Sequence, residues 1–166
     1  FHPFADGNGR TGRILNVLHL LEAGLLQEPV LYLSRYIIQN KTEYYRRLLD
    51  VTAKQDWESW ILFMLKAVED TSKHTLEMID GIKDAQNEFR EAMRDVTTAG
   101  ANADLLDTLF EQPYSRIGTV VERCQVSRPT ATKWLRELAA SGLLEEIKAG
   151  RERLFINNRM LSILRG

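Results

Sequence analysis

Residues 2–13 read HPFADGNGRTGR, and from Ile14 the chain turns helical through Leu15, Val17, Leu18, Leu20 and Leu21 until Glu22-Ala23-Gly24 stops it. Residues 1–13 hold three glycines and a proline and predict a loop that opens directly into a helix. Gly7 and Gly9 allow backbone amides to turn inward at that helix entrance. Such amides, with the free N–H groups and positive end of a helix, form an anion site suited to phosphates. Asn8 offers a side-chain amide to the same anion. Arg10 and Arg13 are three residues apart; in the first helical turns they share a face and can clamp further phosphate oxygens. Two arginines there oppose the helix dipole unless an anion is present. Asp6 supplies the hard oxygen ligand that a phosphate-bound Mg²⁺ requires. His2 is the one group here whose pKa suits deprotonating a hydroxyl near neutral pH. The glycine spacing is not that of a P-loop. On physical grounds the stretch is an anion-binding helix N-terminus equipped for phosphoryl or nucleotidyl transfer.

Beyond Gly24, Pro29 opens an apolar segment, Val30 to Leu33, that continues helically through Tyr36, Ile37 and Ile38. Asn40 followed by Glu43 has the spacing of a capping box at the head of a helix carrying Tyr44, Tyr45, Leu48 and Leu49. Asn40 is balanced between that cap and a ligand contact, and one of the two tyrosines can lie beside a nucleotide base while the other packs. Asp56 caps the longest helix, which presents Trp57, Trp60, Phe63 and Met64 and thins out through Phe89 and Met93. Gly81 is its weak point, where a kink or break is expected. His19 and His74 read as structural or surface groups.

Residues 97–103, TTAGANA, mark the boundary between two modules, 1–98 and 99–166. Residues 1–99 carry 12 basic and 15 acidic groups, whereas residues 100–166 carry 10 basic and 8 acidic ones. The second module reads as a helix through Leu105 to Phe110, a helix capped at Ser115, and a third capped at Ser127 with Pro129 in its first turn. A hairpin follows, turning at Ala149-Gly150. Three helices and a hairpin form a winged helix. Its third helix offers Arg128, Thr130, Lys133 and Arg136 to a partner, with Arg151 and Arg153 on the wing, although neighbouring glutamates offset much of that charge.

The chain has 166 residues, 44% of them hydrophobic, and a net charge of −1, which excludes a generally basic surface. Its single cysteine, Cys124, excludes an internal disulfide and a Cys-rich zinc site. It falls at the end of a helix and reads as buried and inert. No signal peptide or membrane span is legible, so a cytoplasmic location is expected. Beginning at Phe1 without a lead-in element, the sequence reads as the C-terminal part of a longer protein.

HPFADGNGRTGR resembles the Fic motif, HxFx(D/E)GNGRxxR, at every fixed position. YLSRYIIQNKTEYYRRL and WESWILFMLKAV look like the Fic class in which the core is followed by a winged helix. The resemblance implies a mainly α fold: a Fic-type helical bundle, truncated on its N-terminal side, followed by a small α+β winged-helix domain. It implies a Mg²⁺-dependent protein adenylyltransferase that moves AMP from ATP to a Ser, Thr or Tyr hydroxyl of a target protein or of itself, with AMP removal as a second reaction. By that resemblance His2 is the general base and Phe4 the buried anchor of the loop. Asp6 holds Mg²⁺, Gly7, Asn8 and Gly9 bind the α- and β-phosphates, Arg10 binds phosphate and positions the loop, and Arg13 sits by the γ-phosphate. Asn40, Tyr44 and Tyr45 join the nucleotide site. Gly9 stands where phosphorylating relatives have Lys, which favours AMP transfer. The target-aligning flap and inhibitory helix of the family precede the motif and are not in this sequence, so reduced activity of the segment alone is expected. The alternative is a winged-helix DNA-binding regulator, contacting duplex through Arg128, Lys133 and Arg136, with an inactive or sensory Fic part. A homodimer and a bacterial source complete the expectations.

Overall fold

The computed structural model describes residues 4–150 and 152–166. Eight helices and three strands follow in the order α1 (Asn8–Glu22), α2 (Leu33–Gln39), α3 (Lys41–Lys54), α4 (Trp57–Val96), α5 (Ala103–Glu111), β1 (Tyr114–Arg116), α6 (Ile117–Cys124), α7 (Arg128–Ala140), β2 (Glu145–Ala149), β3 (Glu152–Ile156) and α8 (Asn158–Arg165). The chain is mainly helical, with a small sheet of winged-helix type near its end. It divides into two compact units, Phe1–Glu77 and Met78–Gly166.

In the first unit the buried apolar core is small. Leu31, Leu33 and Ala67 form it, with Val17, Leu20, Leu26, Tyr36 and Val68 partly buried against them. Helix α1 begins six residues before Ile14, where the glycine content favoured a loop. Gly7 explains the difference: it takes the left-handed conformation (φ +86°) as N-cap, which sends Asn8 into the helix. The capping box expected at Asn40 does not form. The Asn40 side chain donates to the Tyr36 carbonyl (2.9 Å), and Glu43 instead accepts from Arg46 and Arg47 at 2.6 Å each. Asp56 does cap α4, accepting from the Ser59 amide at 3.2 Å.

Helix α4 runs 40 residues with no break at Gly81. A Cβ there would stand 3.4 Å from Ile163 Cγ2, an ordinary packing distance, so Gly81 packs beside α8 within an unbroken helix. The C-terminal part of α4 supplies Ala85, Phe89 and Met93 to the core of the second unit. This is why the division after Glu77 comes earlier than the glycine- and charge-based boundary at 98/99.

That second core gathers Leu105 and Leu109 of α5, Val120 of α6, Leu135 and Leu138 of α7, Phe155 of β3 and Met160 of α8, all at most 6% exposed. Each such side chain contributes on the order of 1.5–3 kcal/mol by leaving water. The sheet order is β1-β3-β2, all antiparallel, with Tyr114 opposite Ile156 and Ala149 opposite Glu152. Gly150, at φ +63°, turns the hairpin. Ser127 caps α7 by accepting from the Thr130 amide, and Pro129 lies in the first turn. Ser115 does not cap α6. It is buried in β1, its hydroxyl 3.5 Å from the Thr108 carbonyl, because a third strand completes the sheet. Asn157 links the elements: its Oδ1 accepts from the Met160 amide (3.0 Å), capping α8, while its Nδ2 donates to the Leu109 carbonyl (3.4 Å). Cys124 ends α6, and burial pushes its thiol pKa up.

Candidate functional site

The N-terminus of α1 is built by short local bonds. Asn8 fixes the preceding loop in both directions, its Oδ1 accepting from the Phe4 amide (3.0 Å) and its Nδ2 donating to the Phe4 carbonyl (2.7 Å). Asp6 Oδ1 accepts from the Gly7 amide (2.6 Å), and Asp6 Oδ2 accepts from Arg10 (3.1 Å). The first helical turn closes with the Thr11 amide on the Gly7 carbonyl at 3.0 Å. The amides of Asn8, Gly9 and Arg10 precede that bond, so they have no partner one turn back. No acidic residue stands in the first turn. Asp6 lies just before the helix and is engaged by Gly7 and Arg10, so the amides of Asn8, Gly9 and Arg10 remain at the positive end, an arrangement that favours an anion.

The two arginines lie over the glycines. The Arg10 guanidinium is 3.5 Å from the position a Cβ would take at Gly7, and Arg13 Nη1 is 3.5 Å from the corresponding position at Gly9. Arg10 is engaged by Asp6, which makes it a fastener of the loop. Arg13 has no carboxylate partner among the described residues and is the cation left for a ligand. Phe4 departs from the expected anchor role: its ring is 53% exposed, and the loop is held by the Asn8 bonds to Phe4's backbone. His2 lies outside the described residues.

Asn8, Gly9 and Arg13 stand at one end of a cleft of about 490 Å³, which runs along Gly12, Asn16 and His19 of α1. Its opposite wall is apolar and aromatic, with Leu33, Ile37, Tyr44, Trp60 and Met64. Tyr44 and Trp60 are in contact, ring centroids 5.3 Å apart. The cleft thus brings helix-start amides and an Arg13 guanidinium with no carboxylate partner among the described residues beside an aromatic surface.

Of the expected contacts, Tyr44 joins the cleft, whereas Tyr45 is 58% exposed and packs edge-on against Tyr44. Asn40 is held by Tyr36 and does not line it. Asn16 and His19 also line the cleft. Gly12, Asn16 and His19 follow a helical i, i+4, i+7 pattern in an otherwise apolar run, and that interruption was the available signal.

No group of three or more His, Cys, Asp or Glu side chains among the described residues could hold a metal by itself. Asp6 is the carboxylate at this helix end. Magnesium characteristically takes one or two carboxylates and completes its shell with phosphate oxygens and water. The donor set fits a metal brought with a polyphosphate. Among the described residues, no helix is long and apolar enough to cross a membrane.

Residues 86–160 match the family model described as the C-terminal domain of SoFic-like protein adenylyltransferases. The match covers the second core and its sheet, and it is separate from the glycine-rich helix start at residues 2–13.

Proposed function

We propose, from the premise that residues 86–160 are the C-terminal domain of a SoFic-like protein adenylyltransferase of the Fic family, that the N-terminus of α1 is the AMP-transfer site of that enzyme. The observation that carries the reading is the start of α1 itself. Three amides without a partner one turn back and an Arg13 with no carboxylate partner among the described residues converge on the mouth of a cleft walled by Tyr44 and Trp60, with Asp6 beside them.

The substrates in this reading are ATP and a protein carrying a Ser, Thr or Tyr hydroxyl, and the location is the cytoplasm. His2 accepts the hydroxyl proton as the oxygen bonds to the α-phosphorus, and the bond to the leaving pyrophosphate breaks. The amides of Asn8, Gly9 and Arg10 stabilise the charge that develops on the transferred group, Gly7 and the Arg10–Asp6 pair hold the loop around it, and Arg13 holds the leaving phosphates. Asp6 would hold Mg²⁺, whose chemistry there is to neutralise phosphate charge. Asn8 acts mainly by fixing the loop, since both ends of its amide are bound to Phe4. Tyr44 lies beside the base, with Asn40 and Tyr45 positioning α3. Hydrolysis or reversal of the product at the same loop would remove AMP.

The test is label transfer to lysate proteins or to the chain itself, comparing ATP labelled at the α-phosphate with ATP labelled at the γ-phosphate. Incorporation from the α-label alone, abolished by His2→Ala, is the expected result. Incorporation from the γ-label would make the enzyme a kinase, and incorporation unaffected by His2→Ala would remove the proposed base.

A further inference from the structure

In the first unit the Thr71 hydroxyl and His74 Nε2 are buried with no hydrogen-bond partner among the described residues. Both belong to α4, three residues apart, and so share one face of that helix. Thr71 is 6% exposed. Thr52, Thr75, Thr108 and Thr132, also helical, each donate to the carbonyl four residues back. Thr75 does so to the carbonyl of Thr71 itself, at 2.8 Å. Thr71 makes no such bond, so its hydroxyl is the exception in this set. A buried polar group left unpaired costs stability until something supplies the partner. Thr71 and His74 line a cavity of about 190 Å³ between α2 and α4, together with Arg35, Tyr36 and Gln39 of α2 and Asp70 of α4. None of these side chains lines the cleft at the start of α1 except through the neighbouring helix turns of Leu33 and Ile37.

What this cavity lacks is an acceptor. Arg35 has no carboxylate partner among the described residues, and a guanidinium has only donors to give. The Thr71 hydroxyl and the Gln39 amide add further donors, and His74 Nε2 donates in one of its tautomers. Asp70 is the one carboxylate in the lining, and its Oδ1 is already engaged by Lys66 at 2.8 Å. An excess of donors around an arginine suits an oxyanion that the guanidinium can grip with two parallel bonds. Two features narrow the choice. Asp70 opposes a second negative charge in the same cavity, which favours a monoanion over a dianion. The volume also falls short of the roughly 300 Å³ at which sites for drug-sized ligands begin, so the occupant has few heavy atoms and is not a nucleotide. We propose that the cavity between α2 and α4 is a binding site for a small monocarboxylate, gripped by Arg35 and completed by Thr71 and His74. The site is additional to AMP transfer and does not depend on it.

The test is NMR of the whole chain with ¹⁵N-labelled histidine, read at the imidazole nitrogens as sodium acetate replaces sodium chloride at constant pH and ionic strength. The chain has three histidines, and His19→Gln and His74→Gln assign their signals. The expected result is a saturable shift of the His74 signals, half complete at about 10 mM acetate or less, with His19 unmoved. Arg35→Ala and Thr71→Val should each weaken acetate about tenfold, through loss of a hydrogen bond to a charged ligand, while Thr71→Ser retains it. Thr71→Val removes a hydroxyl that has no partner without ligand, so its melting temperature in chloride should not fall. That separates lost binding from lost folding, and the rise in melting temperature that acetate gives the wild type should vanish in this variant. A His74 signal that does not move, or that moves linearly with acetate without saturating, overturns the proposal. Binding unchanged by Thr71→Val overturns it as well. Inorganic phosphate, largely a dianion at pH 7.5, should shift His74 at least about tenfold less tightly than acetate; tighter binding of phosphate would overturn the carboxylate assignment.

Discussion

Among the described residues the second unit has a core of fourteen buried residues, drawn from five helices, the sheet and Leu144 before β2; the first unit has one of three. The reverse holds outside. Among the described residues, sixteen large apolar side chains from Phe4 to Leu76 are exposed in the first unit, against Ile79, Tyr114, Ile147 and Leu164 in the second. Both units are made of amphipathic helices of similar composition, so helical periodicity alone does not decide how much apolar surface is buried. What differs is closure. In the second unit short elements meet from several directions around Leu135 and Phe155, while α1 and α3 of the first unit leave much of their apolar stripe open.

The sharpest way to break this contrast is to delete the same group in each unit. Leu135→Ala, at a position with no exposure, should lower stability by about 2–5 kcal/mol through lost burial and the cavity left behind. Leu62→Ala, at a position 58% exposed, should change it by no more than about 0.5 kcal/mol. Urea unfolding of both variants measures this directly. Equal losses would mean that Leu62 is covered in solution and that the two units are not as different as they look. Native-state hydrogen exchange sharpens the same point: amides of α5 and α7 should exchange only with global unfolding, and those of α1 and α3 by easier local opening.

A second, smaller effect concerns how the second unit is closed. Asn157 is 1% exposed, caps α8 and reaches the Leu109 carbonyl. Asn157→Ala leaves a buried amide and carbonyl without their partner and should cost about 1–3 kcal/mol, with a matching drop in melting temperature. Asn157→Asp keeps the cap to Met160 but loses the donor to Leu109, so its cost should fall between wild type and alanine. A loss confined to the α8 amides in hydrogen exchange would instead make Asn157 a local cap alone.

In the first unit the comparable position is Gly7, whose φ of +86° is unfavourable for any residue with a Cβ. Gly7→Ala should cost about 1–2 kcal/mol, because the left-handed conformation is strained rather than because space is short. Its Cβ would meet the Arg10 guanidinium at an ordinary 3.5 Å. The variant should therefore lose anion affinity at the start of α1 while the second unit's melting is unchanged, which isothermal titration with inorganic pyrophosphate and calorimetric melting can separate.

The sequence made the helices legible because their apolar residues recur at helical spacing, and it made the start of α1 legible because glycine, Asn, Asp and Arg are concentrated there. Ser127 and Asp56 were readable as caps for the same local reason. What escaped were consequences of contact between distant residues. Ser115 looked like a cap, but the three-residue β1 forms only by pairing with β3, and α8 is held by a bond to α5. Gly81 looked like a weak point because its packing beside Ile163 comes from about eighty residues away in sequence. Asn40 and Glu43 had capping-box spacing, yet two arginines on the next turn offered Glu43 stronger, charged partners. The cleft lining at Asn16 and His19 was visible only as polar interruptions, because a groove is defined by the wall opposite.

The Glu43 cluster provides the smallest test, one confined to the first unit. Hydrogen bonds from Arg46 and then Arg47 pull the Glu43 carboxyl from an ordinary 4.5 down to about 2. A folded-state pKa below the unfolded value means that the unfolded chain binds the proton more readily, so stability falls as pH falls. Glu43's contribution is fully present above about pH 4.5 and is lost progressively toward pH 2. The side chains are largely in water, so the contribution is small and screened by salt. Glu43→Gln should lower stability slightly at neutral pH and converge with the wild type toward pH 2, which flattens the acid limb of the stability curve between those pH values. If the variant is equally destabilised at pH 7 and pH 3, the carboxylate acts through packing of α3 rather than charge. The first unit would then hold its helices together more by side-chain contact than its open apolar faces indicate.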